Sequence, residues 1–171
     1  MRILPVVCFL AMTPVALGAQ TTPKTSPKTA PKTAATQAKP AAKGAARTVE
    51  LTAGDNMKFD VTSIQAKPGE RLHVVLKSTG TAPKVAMAHN FVLLKQGTSP
   101  LEFINAAMGA RETDFIPPTM KENIIAYTGL AGPGETVDVT FTAPTKPGTY
   151  EYLCSFPGHY QVGMKGELIV K

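Results

Sequence analysis

The chain has 171 residues, a net charge of +6, three histidines and two cysteines. That length allows about one domain's core, and three histidines are too few for an enzyme that needs several metal centres. The basic balance would suggest nucleic acid as a partner only if the charge lay on the folded part, which it does not.

Residues 1–19 have the layout of a secretory signal. Arg2 precedes an apolar run from Ile3 to Leu17, and small residues at Gly18 and Ala19 place cleavage near Ala19-Gln20. The run is short for a membrane span and is interrupted by Pro5 and Pro14. The mature protein is therefore expected in the periplasm or outside the cell, while a retained apolar stretch would instead tether it to a membrane. Cys8 sits too early in the run to suit a lipid-modified mature N-terminus. Cleavage leaves Cys154 as the single thiol, which cannot form an internal disulfide and is left as a reactive group, an intermolecular bridge or a metal ligand.

Residues 20–47 read as a disordered linker of Pro, Lys, Thr and Ala. Pro-Lys-Thr recurs at Pro23, Pro27 and Pro31, and nothing apolar there is larger than Ala. Stiffened by proline, this stretch would reach roughly 80 Å at about 3.1 Å per residue. It also holds the excess charge: Lys24, Lys28, Lys32, Lys39, Lys43 and Arg47 lie here, whereas residues 48–171 carry eleven basic against twelve acidic residues. A confined basic tail on an exported chain either stays solvated or touches an anionic surface, and nucleic acid is not expected.

From 48 to 171 the signals are those of short strands. Val137, Val139 and Phe141 alternate with polar residues, and Leu72, Val74 and Leu76 do the same, leaving His73 on the wet face beside Arg71 and Lys77 without an evident partner. Further runs lie at Val49 and Leu51, Met57 and Phe59, His89 to Leu94, Tyr150 to Cys154, and Glu167 to Val170. The turns Lys67-Pro68-Gly69-Glu70, Gly132-Pro133-Gly134-Glu135 and Lys146-Pro147-Gly148-Thr149 separate them. The pattern predicts an all-β, antiparallel Greek-key sandwich or barrel. One excursion, over roughly 99–123, is helical: Ser99 is a cap, Pro100 and Glu102 suit a first turn, and Leu101, Ile104 and Met108 follow at helical spacing.

Near the C-terminus Cys154, His159 and Met164 stand at five-residue intervals, and Ala88-His89-Asn90-Phe91 can add a second imidazole. Two imidazoles and a thiolate make a strong trigonal set for redox copper, and a weak axial thioether tunes the potential. We assign His89 and His159 as imidazole ligands, Cys154 as the thiolate and Met164 as the axial ligand of one copper ion cycling between Cu2+ and Cu+. Taken singly, Cys154, His89, Met164 and Phe156 are ordinary core residues. Together, in this order, they form a complete donor set.

At these residues the chain resembles the cupredoxins, the type 1 blue copper proteins, and within them the azurin and auracyanin group. Cys154-Ser155-Phe156-Pro157-Gly158-His159 and Met164-Lys165-Gly166 carry the resemblance, supported by Asn56-Met57-Lys58-Phe59, Ala82-Pro83-Lys84, Met87-Ala88-His89-Asn90, Ile125-Ala126-Tyr127-Thr128 and Val139-Thr140-Phe141. The resemblance covers about residues 50–171. It implies that Asn90 ties the two ligand-bearing segments together. It also implies that Phe156, Pro157, Gly158 and Met87 form an apolar patch round the edge of His159, where electrons pass to a weakly docked partner. The excursion over 99–123 matches the flap azurins place outside their barrel.

Three departures stand out. Four residues separate His159 from Met164, one more than in azurin and as in auracyanin-like proteins. Ala88 replaces the glycine whose carbonyl is azurin's distant fifth contact, and so becomes the corresponding axial carbonyl candidate. The azurin N-terminal cysteine pair is missing.

The resemblance implies a monomeric, non-enzymatic electron carrier serving redox proteins such as cytochromes or a terminal reductase or oxidase. A copper carrier or store using the same ligands without shuttling electrons is the alternative. Cys154 and His159 could also be a nucleophile and base, but such a hydrolase leaves Met164 without a task.

Overall fold

A computed structural model describes residues 44–171. The signal-like stretch 1–19 and the linker as far as residue 43 lie outside the described residues. The first strand, β1, spans Arg47–Ala53, so it starts on the last residue assigned to the linker.

Seven further strands follow: β2 Ser63–Ala66, β3 Arg71–Ser78, β4 Val92–Leu94, β5 Ile124–Tyr127, β6 Thr136–Thr142, β7 Gly148–Leu153 and β8 Lys165–Val170. They form two sheets, ordered β1-β3-β6 and β2-β8-β7-β4-β5. Alternation does what was expected of it. Leu72, Val74 and Leu76 are wholly buried in β3, opposite Phe141, Val139 and Val137 of β6. Their inner faces meet Phe91, Tyr152, Leu168 and Val170 of the other sheet, and this layer is the main core.

The sandwich is all-β, as predicted, but its sheets are mixed. β1 runs parallel to β3 and β2 runs parallel to β8, whereas the remaining pairs are antiparallel. β2 lies between β1 and β3 in sequence yet belongs to the other sheet, so β3 returns beside β1 by crossing over rather than by a hairpin. The Met57 and Phe59 run is not a strand. Met57 adopts φ +53°, and Phe59 makes only a single bridge to Ala53. His73 is corrected as well: its Nε2 lies 3.0 Å from Asp138 Oδ2 on the adjacent β6.

The helical excursion is present and compound. The helix α1 spans Pro100–Met108, with the Ser99 hydroxyl accepting from the Glu102 amide, and two 3₁₀ segments follow at Arg111–Thr113 and Pro118–Asn123. Phe103 and Ile104 pack on Val92, Leu94, Ile116, Ile124 and Leu153 in a second core. β4 is thus covered on both faces, which is why Phe91-Val92-Leu93-Leu94 is continuously apolar rather than alternating. Among the described residues no helix is long and apolar enough to cross a membrane.

The flap is thus a structural member rather than an appendage. Phe103→Ala should lower the stability of the metal-free protein by about 3–5 kcal/mol in urea unfolding, whereas Leu101→Ala, on the exposed face of the same helix, should stay within about 0.5 kcal/mol.

Candidate metal centre

Cys154 is the first residue beyond β7 and Met164 the last before β8, so the ends of two paired strands hold the loop that carries His159. The loop is closed by backbone hydrogen bonds among the predicted ligands themselves. The Cys154 amide donates to the Met164 carbonyl (3.1 Å), the Met164 amide to the His159 carbonyl (2.9 Å), and the His159 amide to the Phe156 carbonyl (3.2 Å). Gly158 and Gly163 make the two sharp reversals at φ +85° and +92°, a region that L side chains seldom enter. His89 precedes β4 and is fixed by a two-way backbone bridge with Ala131.

These segments bring the donors together. Nitrogens of His89 and His159 and the sulfur of Cys154 all lie within 4.8 Å of one another, with Cys154 Sγ 3.5 Å from His159 Nδ1. Metal–nitrogen and metal–sulfur bonds of about 2.0–2.3 Å would set neighbouring donors roughly 3.5 Å apart, so an ion fits between them. Met164 is fully buried and packs in the same cluster as Ala88, Cys154 and Phe156. The Ala88 carbonyl oxygen is 4.0 Å from Cys154 Sγ. His89 gives the clearest sign of a missing partner: it is wholly buried, and neither ring nitrogen has a hydrogen-bond partner among the described residues.

Burial dominates the electrostatics. It pushes the Cys154 thiol up to about 12, against smaller opposing effects from the Asn90 and Phe156 amides. Burial, and then the neighbouring His89, pull His159 down to about 4, and burial also lowers His89 against a weaker opposing field from Asp55. Both imidazoles are therefore neutral at pH 7, with lone pairs free to coordinate, and only the thiol must lose a proton.

Asn90 ties the two halves together. Its Oδ1 accepts from the Ser155 amide (2.8 Å), and its Nδ2 donates to the Ser155 hydroxyl (2.8 Å) and to the Asp114 carbonyl (3.3 Å). Phe156 is buried between His159, at 4.8 Å between ring centroids, and Phe115, at 5.2 Å. Of the other residues expected in the apolar patch, Pro157 and Gly158 are exposed and Met87 half-exposed, and Val85 and Val162 are exposed as well. His159 itself retains only 2% exposure. Three supporting residues were not singled out in the sequence: Ser155, Ala131, and Thr128, whose hydroxyl accepts from the Phe91 amide (3.0 Å). Ala131 acts through its backbone, Thr128 through its hydroxyl and Ser155 through both its amide and its hydroxyl, and only Ser155 and Thr128 lie within motifs quoted above.

The family model for copper binding proteins of the plastocyanin/azurin family matches residues 45–171. The chain belongs to that family. It is 38% identical to auracyanin-A of Chloroflexus aurantiacus over 72% of this chain and 74% of that one. It is 35% identical to azurin of Alcaligenes faecalis over 70% of this chain and 94% of that one. The solved structure of dithionite-reduced auracyanin from Roseiflexus castenholzii superposes with a TM-score of 0.66 at 38% identity, covering 75% of this chain and 99% of that one. As a cupredoxin, the chain has one copper ion as its cofactor, and His89, Cys154, His159 and Met164 are arranged for a single metal site. Copper supplies a one-electron redox couple that no side chain here offers.

Because the free thiol is protonated at pH 7 and both imidazoles are neutral, copper binding should release about one proton per ion. Titration calorimetry in buffers of different ionisation enthalpy would measure it, and Cys154→Ser should abolish most of the release.

Proposed function

We propose that this cupredoxin is an exported, monomeric one-electron carrier in which His89, Cys154 and His159 hold copper as a trigonal set. Met164 is the weak axial ligand, and the Ala88 carbonyl is a distant contact. The observation that carries the reading is the gathering of two imidazole nitrogens and one thiol sulfur within 4.8 Å, all buried. A buried donor set braced by backbone bonds keeps its geometry when the charge of the site changes by one, so little rearrangement accompanies transfer. His159 lies next to the exposed Pro157-Gly158 pair, which makes its edge the route to a docked redox partner such as a cytochrome or a terminal reductase or oxidase. Two of the three histidines are used here and the third, His73, is engaged with Asp138, which favours a carrier over an enzyme with a second copper centre. Residues 1–19 act as the export signal, and the linker residues that precede β1 at Arg47 act as the spacer ahead of the domain.

Adding cupric ion to the purified protein should give an intense visible thiolate-to-copper band, and Cys154→Ser should remove it; a colourless wild-type protein would refute the assignment. Rapid, reversible electron exchange with a cytochrome while copper stays bound is expected of a carrier, whereas release of the ion on reduction would show a store. For export, sequencing the N-terminus of the native protein should find a start near Gln20, and a start at Met1 would show that the apolar stretch is kept.

A further inference from the structure

The run at Met57 and Phe59 is expected from its sequence to be a strand, yet Gly54–Phe59 is a well-bonded loop. The Met57 amide donates to the Gly54 carbonyl (2.9 Å), the Asn56 side chain accepts from the Lys58 amide (3.2 Å), and Ala53 and Phe59 close the ends in a bridge. Met57 sits at φ +53°, in the left-handed region, so the chain reverses there and sends its neighbours to opposite sides. On one side Asp55 accepts from the Thr81 amide and hydroxyl (2.9 Å each) and from the Ala82 amide (3.4 Å), in the segment that leads through Met87 and Ala88 to His89. On the other side the Lys58 ammonium donates to the Val162 carbonyl, inside the loop between His159 and Met164.

The ligand loop is shaped to receive that ammonium. Among the described residues no backbone amide donates to the Val162 or Gln161 carbonyl, whereas the Gly158, His159 and Tyr160 carbonyls are each taken by one. A Cβ on Gly163 would come within 2.7 Å of Lys58 Nζ, so a glycine there leaves room for the cation as well as permitting φ +92°. The loop contains one more residue than azurin's, and Lys58 holds its outermost part.

We propose that Lys58 is a positioning residue of the copper site: from the hydrogen-bonded 54–59 loop, anchored by Asp55 to the segment bearing His89, it pins the loop between His159 and Met164. This rests on the electron-carrier reading and extends it. Asn90 joins the two ligand-bearing segments from inside the protein, and the 54–59 loop joins them from the solvent side. By fixing the loop next to Met164, this contact sets the ligand positions and the hydrogen bonds around them on which the reduction potential depends.

The test compares Lys58→Met and Lys58→Arg with the wild-type protein. In the metal-free protein, amide hydrogen exchange at Val162, Gly163 and Met164 should be about fivefold faster in Lys58→Met, as for loss of one ordinary hydrogen bond, and restored in Lys58→Arg. In the copper-loaded protein Lys58→Met should have a shifted reduction potential and an altered ratio of the visible bands, and Lys58→Arg should return both toward wild type. Unchanged exchange, or an unchanged potential and spectrum, would overturn the proposal. A wild-type protein that fails to turn blue would tell against the carrier reading instead, and the exchange comparison on metal-free protein would still decide whether Lys58 braces the loop.

Discussion

The copper site depends on the amide of Asn90. β4 and β7 pair at Val92 with Leu153, and extending that register by two residues beyond the strand ends sets Asn90 opposite Ser155. There the side chain takes over from the backbone ladder, with Oδ1 accepting the Ser155 amide and Nδ2 donating to the Ser155 hydroxyl. Both residues are essentially without solvent contact, so neither could leave its partner without stranding polar groups at about 1–3 kcal/mol apiece. His89 lies one residue before Asn90, and Cys154 one residue before Ser155. Any slip between the two segments would therefore be opposed by the same bonds that bring imidazole and thiol together.

Burial then gives the site its chemistry. A solvated cysteine would keep a small, reactive thiolate fraction at neutral pH, and solvated histidines would titrate near neutrality. Here low polarity keeps the thiol protonated and the imidazoles neutral until an ion arrives whose charge compensates the thiolate. That arrangement suits a soft divalent or monovalent metal, and it leaves little for a hydrolytic mechanism: a nucleophile with its acidity suppressed and a base that does not hold a proton above about pH 4 make a poor catalytic pair.

The strands of the sandwich were legible because half-buried strands alternate, as in Thr136–Thr142, and the donor set was legible because its residues are chemically distinctive and closely spaced. Pairing was not. Alternation records which face of a strand is buried but not which neighbour it meets, so the parallel β1–β3 and β2–β8 pairs left no local trace. Met57 and Phe59 satisfied the same alternation while forming a loop, because Phe59 is buried from a turn that Asn56 and Asp60 hold through backbone amides. His73 looked solitary for a related reason, since its partner Asp138 is sixty-five residues away and adjacent only once β3 and β6 are paired.

The same distinction explains why the ligand loop can lengthen without the site falling apart. The donors are held at its ends, by the β7–β8 ladder and by the Cys154–Met164 and Met164–His159 backbone bonds, none of which involves a metal. Residues 160–163 form a bulge between those anchors, folded on itself by the Gly163 amide bonding to the Tyr160 carbonyl, turned by Gly163 and held at one end by Tyr160 packing on the second core. A change in residues 160–163 then alters what surrounds the copper and how far solvent stands from it, while the distance between the thiol and the His89 imidazole is left to the paired β4 and β7 segments. Loop length and donor geometry are in this way separable, and the potential can be adjusted by the loop without disturbing the low-rearrangement geometry that electron transfer needs.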